Sequence, residues 1–155
     1  MKISHLPIRL AAGALFLNSG VSKLGMGADQ AAGLKQMAVA GVPGLDNVDD
    51  KTFAKALPAG EIAIGAALLL PFVQSWLAGA GLAAFSAGLV NMYRNTPGMT
   101  MDDGIRPTQE GLPLAKDVTL LGIGATLVLD SVFSRKRVVR KVRADKVKVK
   151  PVRSH

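Results

Sequence analysis

The chain has 155 residues, of which 49% are hydrophobic and 19% charged, and it contains no cysteine. A charged share below the roughly 25% of soluble domains favours a membrane protein, and the lack of cysteine excludes disulfides, thiol redox chemistry and thiolate metal sites. The net charge of the whole chain is +8, and residues 135–155 alone carry +9, with ten basic residues and one acidic residue. The other 134 residues form an apolar body with nine basic and ten acidic residues.

Four apolar runs divide this body, at residues 8–24, 57–73, 76–93 and 114–133. The last run has twenty residues, and at about 1.5 Å per helical residue it covers about 30 Å, the hydrocarbon thickness of a bilayer. Trp76 and Tyr93 stand at the two ends of the third run, positions where amphipathic aromatic residues are enriched in membrane helices. The runs predict four transmembrane helices.

The first run has a second interpretation. Lys2 and Arg9 are followed by an apolar stretch, and residues 20–22 form an acceptable small-x-small cleavage site, as in a signal peptide. We favour an uncleaved first span, because the run is the first of four similar segments rather than a leader before a soluble domain.

The connections between the runs are more polar. Residues 25–56 predict one short helix over residues 29–40 and another that begins at residue 49 or 50. Both are too short to span, so they either lie at the membrane interface or belong to an ordered loop with helical turns. Residues 94–113 are rich in glycine and proline, which predicts a turn-rich loop.

Small residues recur at four-residue spacing in the third run. One row contains Ala80, Ala84 and Gly88, and another contains Ala83 and Ala87. Such spacing allows helix backbones to approach closely, so we expect the third helix to be the best packed in the bundle.

The basic tail sets the orientation. A positively charged segment directly after a span stays in the cytoplasm, and an even number of spans places the N-terminus there too. The predicted fold is therefore an all-α, four-transmembrane-helix bundle over residues 1–134, with both termini cytoplasmic and a basic cytoplasmic tail at residues 135–155. We expect a multi-pass protein of the plasma (cytoplasmic) membrane whose fourth helix extends briefly into the tail.

This topology sorts the polar residues of the spans into two groups. The outer cluster contains Asn18, Lys23, Glu61, Asn91, Arg94, Lys116 and Asp117, and the inner pair contains Arg9 and Asp130. An ionisable group within a bilayer is costly unless it meets an opposite charge, a cavity or the bundle interior. We therefore expect Glu61 and Asp117 to pair with nearby basic residues, and Arg9 to neighbour Asp130. The outer cluster is either a functional site or a set of ion pairs that holds helix ends together.

Several segments resemble one known family. They are RLAAGALFLNSGVSKL in the first run, AVAGVPG in the first connection, ALPAGEIAIGAALLL in the second run and LAKDVTLLGIGATLVL in the fourth. Over residues 8–133 the chain resembles the DoxX family of small four-helix membrane proteins. The resemblance implies a bundle that assembles with oxidoreductases, in some members as a subunit of quinone-linked oxidase complexes. It does not by itself make the chain an enzyme.

The residue inventory limits the chemistry. The histidines are His5 and His155, so bis-histidine haem ligation inside the bundle is excluded, and a metal site there would need carboxylates alone. Our leading hypothesis is a non-catalytic membrane subunit or scaffold of an oxidoreductase complex, with a redox protein as partner. No cofactor is evident; the outer half of the bundle either binds a quinone or another amphipathic molecule, or performs no chemistry. The alternative is a small carrier for a polar or amphipathic solute.

The tail has a simpler explanation than nucleic-acid binding. It contains neither interleaved aromatic residues nor a folded recognition module. Anionic lipid headgroups attract a juxtamembrane basic segment, so we expect the bilayer and its anionic lipids to be the partners of residues 135–155.

Overall fold

The computed structural model describes the backbone of residues 3–148 and the side chains of residues 3–134, and this part consists of helices joined by turns and by one longer loop at residues 96–111. The helices are α1 (Leu6–Ser22), α2 (Ala28–Val39), α3 (Asp50–Leu69), α4 (Ser75–Asn95), α5 (Leu112–Ala115) and α6 (Asp117–Lys148), with 3-10 turns at Ile3–His5 and Leu45–Asn47. The described residues contain no β-strand, and their one isolated β-bridge joins Thr100 and Pro107. The all-α prediction is confirmed.

Three segments are long and apolar enough to cross a membrane: Asp50–Leu69, Ser75–Asn95 and Leu112–Ser134. They contain most of the second, third and fourth predicted runs. Helix α1, at the first run, has 17 residues and covers about 25 Å, slightly less than the hydrocarbon thickness of a bilayer. The described chain thus has three candidate spans and one shorter apolar helix beside them.

Helix α3 begins earlier than the sequence predicted. The Asp49 carboxylate accepts a hydrogen bond from the Thr52 N–H at 2.9 Å and caps the helix, and hydrogen bonds from Thr52 hold the pKa of Asp49 below its ordinary value. The expected short helix at residue 49 or 50 and the second span are therefore one helix, with Pro58 inside it. The predicted start at residue 57 marks the change from polar to apolar residues, and the helix itself also includes the polar turn before it.

The last helix is longer than predicted. Its backbone remains helical to Lys148, so much of the basic segment continues the fourth apolar run instead of leaving it after a short extension. Arginine and lysine, which are good helix formers, make up eight of residues 135–148. The side chains of residues 135–148, all of residues 149–155, and the lipid contacts expected for them lie outside what the structure describes.

The long helices form two closely packed pairs, α1 with α3 and α4 with α6. Glycine permits the close approach in both pairs. A Cβ atom added at Gly65 of α3 would lie 2.6 Å from the Leu17 nitrogen of α1, and one at Gly124 of α6 would lie 2.6 Å from the Ala83 nitrogen of α4. Ala83 belongs to one of the predicted small-residue rows, but Gly79, four residues before it, completes the contact with α6.

A thin apolar core joins the two pairs. Its buried members are Ala12, Phe16, Leu68, Ala78, Leu82, Leu120 and Leu127. The rings of Phe16 and Phe85 pack edge to face with their centroids 5.3 Å apart, a favourable aromatic geometry. Since α3 and α4 pack against each other much less extensively than the helices within each pair, space remains between the pairs.

The bundle has two distinct ends. At one, which we call the Arg9 end, the start of α1 lies beside the loop that joins α3 to α4. At the other, the Lys23 end, the end of α1 meets Glu61 of α3. Helix α2 packs on α3 and α4 at the Lys23 end, where Asn91 of α4 donates a hydrogen bond to the Gly41 carbonyl at 2.7 Å.

The glycine contacts lead to a test within one helix. Gly124→Ala places a methyl group against the α4 backbone, whereas the same change at Gly122 meets no atom within 4 Å. We expect Gly124→Ala to lower the free energy of unfolding by about 1–3 kcal/mol, the usual cost of overpacking. Gly122→Ala should be neutral or stabilising by up to about 1 kcal/mol, because alanine is the better helix former.

Thermal unfolding of both variants in the same detergent measures the difference. Equal stability of the two proteins would contradict the proposed contact between α4 and α6.

Candidate functional site

Arg9 is the most extensively bonded side chain at its end of the bundle, and it is 1% exposed. Its Nε donates to the Leu68 carbonyl at 2.8 Å, and its Nη2 donates to the Ala67 and Leu70 carbonyls at 2.9 Å each. Its Nη1 donates to the Val73 carbonyl and to the Ser75 hydroxyl at 3.0 Å each.

These bonds make Arg9 a cap for the end of α3. The last carbonyls of a helix lack partners within the helix and carry partial negative charge. All five N–H groups of the guanidinium are used, and they connect α1 to the end of α3 and the start of α4. Arg9 therefore has a structural role.

Arg9 and Asp130 do not bond to each other directly, but Asp130 bonds to His5, four residues before Arg9, so their expected proximity stays a prediction. Asp130 bonds through Oδ2 to Nε2 of His5 at 2.7 Å, and Arg9 bonds to backbone carbonyls and Ser75 instead. The reason is geometric: the end of α3 and the following turn present four carbonyls at the depth of Arg9, and one carboxylate cannot accept five diverging N–H bonds. The sequence shows the side-chain charges near Arg9 but does not show these backbone acceptors.

A second polar group lies at the opposite end of the bundle. Lys23 Nζ lies 3.0 and 2.9 Å from the two carboxylate oxygens of Glu61, and it also donates to the Ser19 hydroxyl at 2.6 Å. Glu61 is 6% exposed, so this ion pair is largely removed from solvent. A paired charge is the tolerable form of a buried charge, and Lys23 is one of the basic residues expected to serve as the partner of Glu61.

The ion pair borders a cavity of about 320 Å³ between the two helix pairs. The polar side chains in its lining are Ser19, Lys23, Glu61 and Asp117, and the other lining residues are apolar: Leu15, Phe16, Leu34, Met37, Ala38, Phe53, Leu57, Phe85, Leu89, Met92, Leu114 and Leu120. A neighbouring cavity of about 360 Å³ shares Ala38, Phe53, Leu57, Phe85, Leu89 and Met92 with it. We call the two cavities together the Lys23 chamber.

Helix α2 forms one wall of the Lys23 chamber through Leu34, Met37 and Ala38. The helix is held in place by the salt bridge from Lys35 to Asp50, 2.9 Å long, and by the hydrogen bond from Asn91 to the backbone at Gly41. The chamber is therefore bounded by both helix pairs and by a separate short helix.

The predicted outer cluster divides in the structure. Lys23, Glu61 and Asp117 line the chamber, whereas Asn91 binds the backbone at Gly41. The remaining three, Asn18, Arg94 and Lys116, are exposed and are absent from the chamber lining. Sequence position gave the depth of these residues in the bundle but not the direction in which each one faces.

Sequence reasoning missed Ser19 and the α2 wall. Ser19 lies four residues before Lys23, a spacing that places two side chains on the same helix face, and it could have been found from that spacing. The contribution of α2 had no such signal, since it depends on where the short helix docks. In the part of the chain that the structure describes, no group of three or more His, Cys, Asp or Glu side chains is arranged to hold a metal ion.

The Arg9 bonds make a second stability test possible. Arg9→Lys supplies at most three donors for five acceptors, so at least two acceptors lose their partner, at about 1–3 kcal/mol for each one left unsatisfied. The matched control is Arg94→Lys, since Arg94 is an exposed residue on the last turn of α4. We expect thermal unfolding in detergent to show a marked loss for Arg9→Lys and no change for Arg94→Lys; similar midpoints would contradict the structural role of Arg9.

Comparison with known proteins corrects the family. No curated protein and no solved structure matches the chain significantly. A family model described as methylamine utilisation protein MauE matches residues 1–130. The predicted membership of the DoxX family is therefore wrong: the segments that suggested it are short and consist of small and apolar residues common to membrane helices, so they do not distinguish between such families. Because the match covers most of the chain, the protein belongs to the MauE family of membrane proteins.

Proposed function

We propose that this chain is a non-catalytic integral membrane subunit of an oxidoreductase system that serves methylamine utilisation. The observation that carries the proposal is the family match over residues 1–130. The composition supports the non-catalytic part, because a chain without cysteine, and with histidines only at positions 5 and 155, relies on a partner for thiol or haem chemistry.

The proposal includes four membrane crossings, with α1 as the first. Its 17 residues are slightly short for a bilayer, but α1 packs along α3, and its one arginine is turned into the α3 carbonyls and away from lipid. Four crossings place the N-terminus and the basic tail on the same side, and the ten basic residues of the tail favour the cytoplasm. The Lys23 end then faces away from the cytoplasm.

Within this subunit, the Lys23 chamber is the proposed ligand site. It combines an apolar lining with a few polar side chains at one side, the usual composition of a small-molecule pocket. An amphipathic molecule fits this distribution. A quinone is one such molecule, since the hydroxyl of Ser19 can donate to a quinone carbonyl.

The carrier alternative receives less support. Leu68, Leu82 and Leu127 are at most 1% exposed and belong to the apolar core that joins the two helix pairs. A polar solute needs a lined pathway through the protein, and these side chains provide none.

The absence of native cysteine allows a direct test of topology. Ser4 lies at the Arg9 end and Asp102 in the loop between α4 and α5, and both are exposed. In intact cells, a membrane-impermeant maleimide should label Asp102→Cys, whereas Ser4→Cys should be labelled only after lysis. If α1 does not cross the membrane, the two sites lie on the same side and label alike, which would contradict four crossings.

The proposed role in methylamine utilisation is tested in a deletion strain of the host. We expect the strain to lose growth on methylamine, to grow normally on an unrelated carbon source, and to recover with the wild-type chain. Tagged wild-type protein purified in mild detergent should also bring down an oxidoreductase. Normal growth of the deletion strain on methylamine, or a chain that repeatedly purifies alone, would contradict the proposal.

A further inference from the structure

The charges around the Lys23 chamber do not balance. Lys23 and Glu61 neutralise each other, with both carboxylate oxygens of Glu61 within 3.0 Å of the lysine nitrogen. Asp117 of α6 also lines the chamber, and among the described residues it has neither a hydrogen-bond nor an ion-pair partner. With Asp117 ionised, the chamber carries one uncompensated negative charge.

Burial beside the apolar cavity disfavours the ionised form of Asp117, and the position of the residue at a helix start opposes that effect. Asp117 is the first residue of α6, where the unpaired N–H groups of a helix carry partial positive charge. A carboxylate that faces an apolar cavity has lost much of its hydration, so a cation of matching size placed beside it gains a strong interaction.

The aromatic lining points to the same class of ligand. Phe16, Phe53 and Phe85 all line the chamber, and the faces of aromatic rings attract cations, in particular alkylammonium groups. The donors of the chamber are largely engaged, since Lys23 binds Glu61 and Ser19. A ligand that accepts hydrogen bonds thus finds few free donors, whereas a cation finds a free carboxylate in a lining that includes aromatic side chains.

We infer that the Lys23 chamber binds an organic ammonium cation with an apolar body, held by Asp117 and by the aromatic lining. The inference rests on the proposal that the chamber is a ligand site, and it selects a cation over a quinone as the occupant. The volume of the chamber, about 320 Å³ next to a further 360 Å³, accommodates an alkyl chain as well as the ammonium group.

The test uses the purified full-length protein in nanodiscs, with hexylammonium as the probe and hexanol as its uncharged counterpart. Isothermal titration calorimetry should show saturable binding of hexylammonium that is at least about tenfold tighter than that of hexanol. Asp117→Asn should reduce this preference by about tenfold and leave hexanol binding unchanged. The matched control is Asp102→Asn, which removes an exposed carboxylate outside the chamber and should have no effect.

A second variant tests the aromatic lining. Phe53→Leu keeps an apolar side chain but removes the ring face, so it should weaken hexylammonium binding while hexanol binding is preserved. Both variants should unfold near the wild-type temperature, and Asp117→Asn should be at least as stable as wild type because a half-buried unpaired carboxylate is lost.

A titration with a short-chain benzoquinone in place of hexylammonium distinguishes a cation site from a quinone site. Binding of the quinone without binding of hexylammonium would overturn the cation inference and leave the proposed membrane subunit intact. Equal binding of hexylammonium by wild type and Asp117→Asn would also overturn it. Failure of the subunit proposal appears independently, as normal growth of the deletion strain on methylamine.

Discussion

The close approach of helices through glycine is the contact on which the rest of the structure depends. In lipid, helices gain little from burying apolar surface against each other, so packing contacts carry more of their association. Gly65 lets α3 approach α1, and Gly124 lets α6 approach α4. Two tight pairs meeting across a thin core leave space between them, and the Lys23 chamber occupies that space.

A bilayer core offers no water to polar groups, so they need hydrogen-bond or ion-pair partners within the protein. Arg9 meets this constraint by capping α3, and it thereby fixes the turn that connects the two helix pairs. Lys23 and Glu61 meet it by pairing with each other. Asp117 stands apart because it faces the chamber without a partner among the described residues, which gives the chamber its chemical character.

The proposed ligand of the chamber and the description of the family concern related chemistry. The family description concerns methylamine utilisation, and the proposed ligand is an organic ammonium ion, a chemical class to which protonated methylamine also belongs. The Lys23 chamber has room for a larger member of that class. The wall formed by α2 is a separate short helix, held by the salt bridge from Lys35 to Asp50 and by the hydrogen bond from Asn91 to the backbone at Gly41.

The sequence by itself determined the helical class, the positions of the long apolar helices and the depth of each polar residue, because hydrophobic length and spacing act within a single segment. It also placed Lys23 within reach of Glu61. Only the tertiary structure decided that the helix starting at Asp50 and the second span are one helix, that Arg9 binds carbonyls while His5 binds Asp130, and that Gly79 and Ala83 contact α6. These features depend on how each helix is rotated about its axis and where neighbouring backbones end. A one-dimensional pattern specifies neither, so the three chamber residues of the predicted outer cluster could be separated from the other four only in three dimensions.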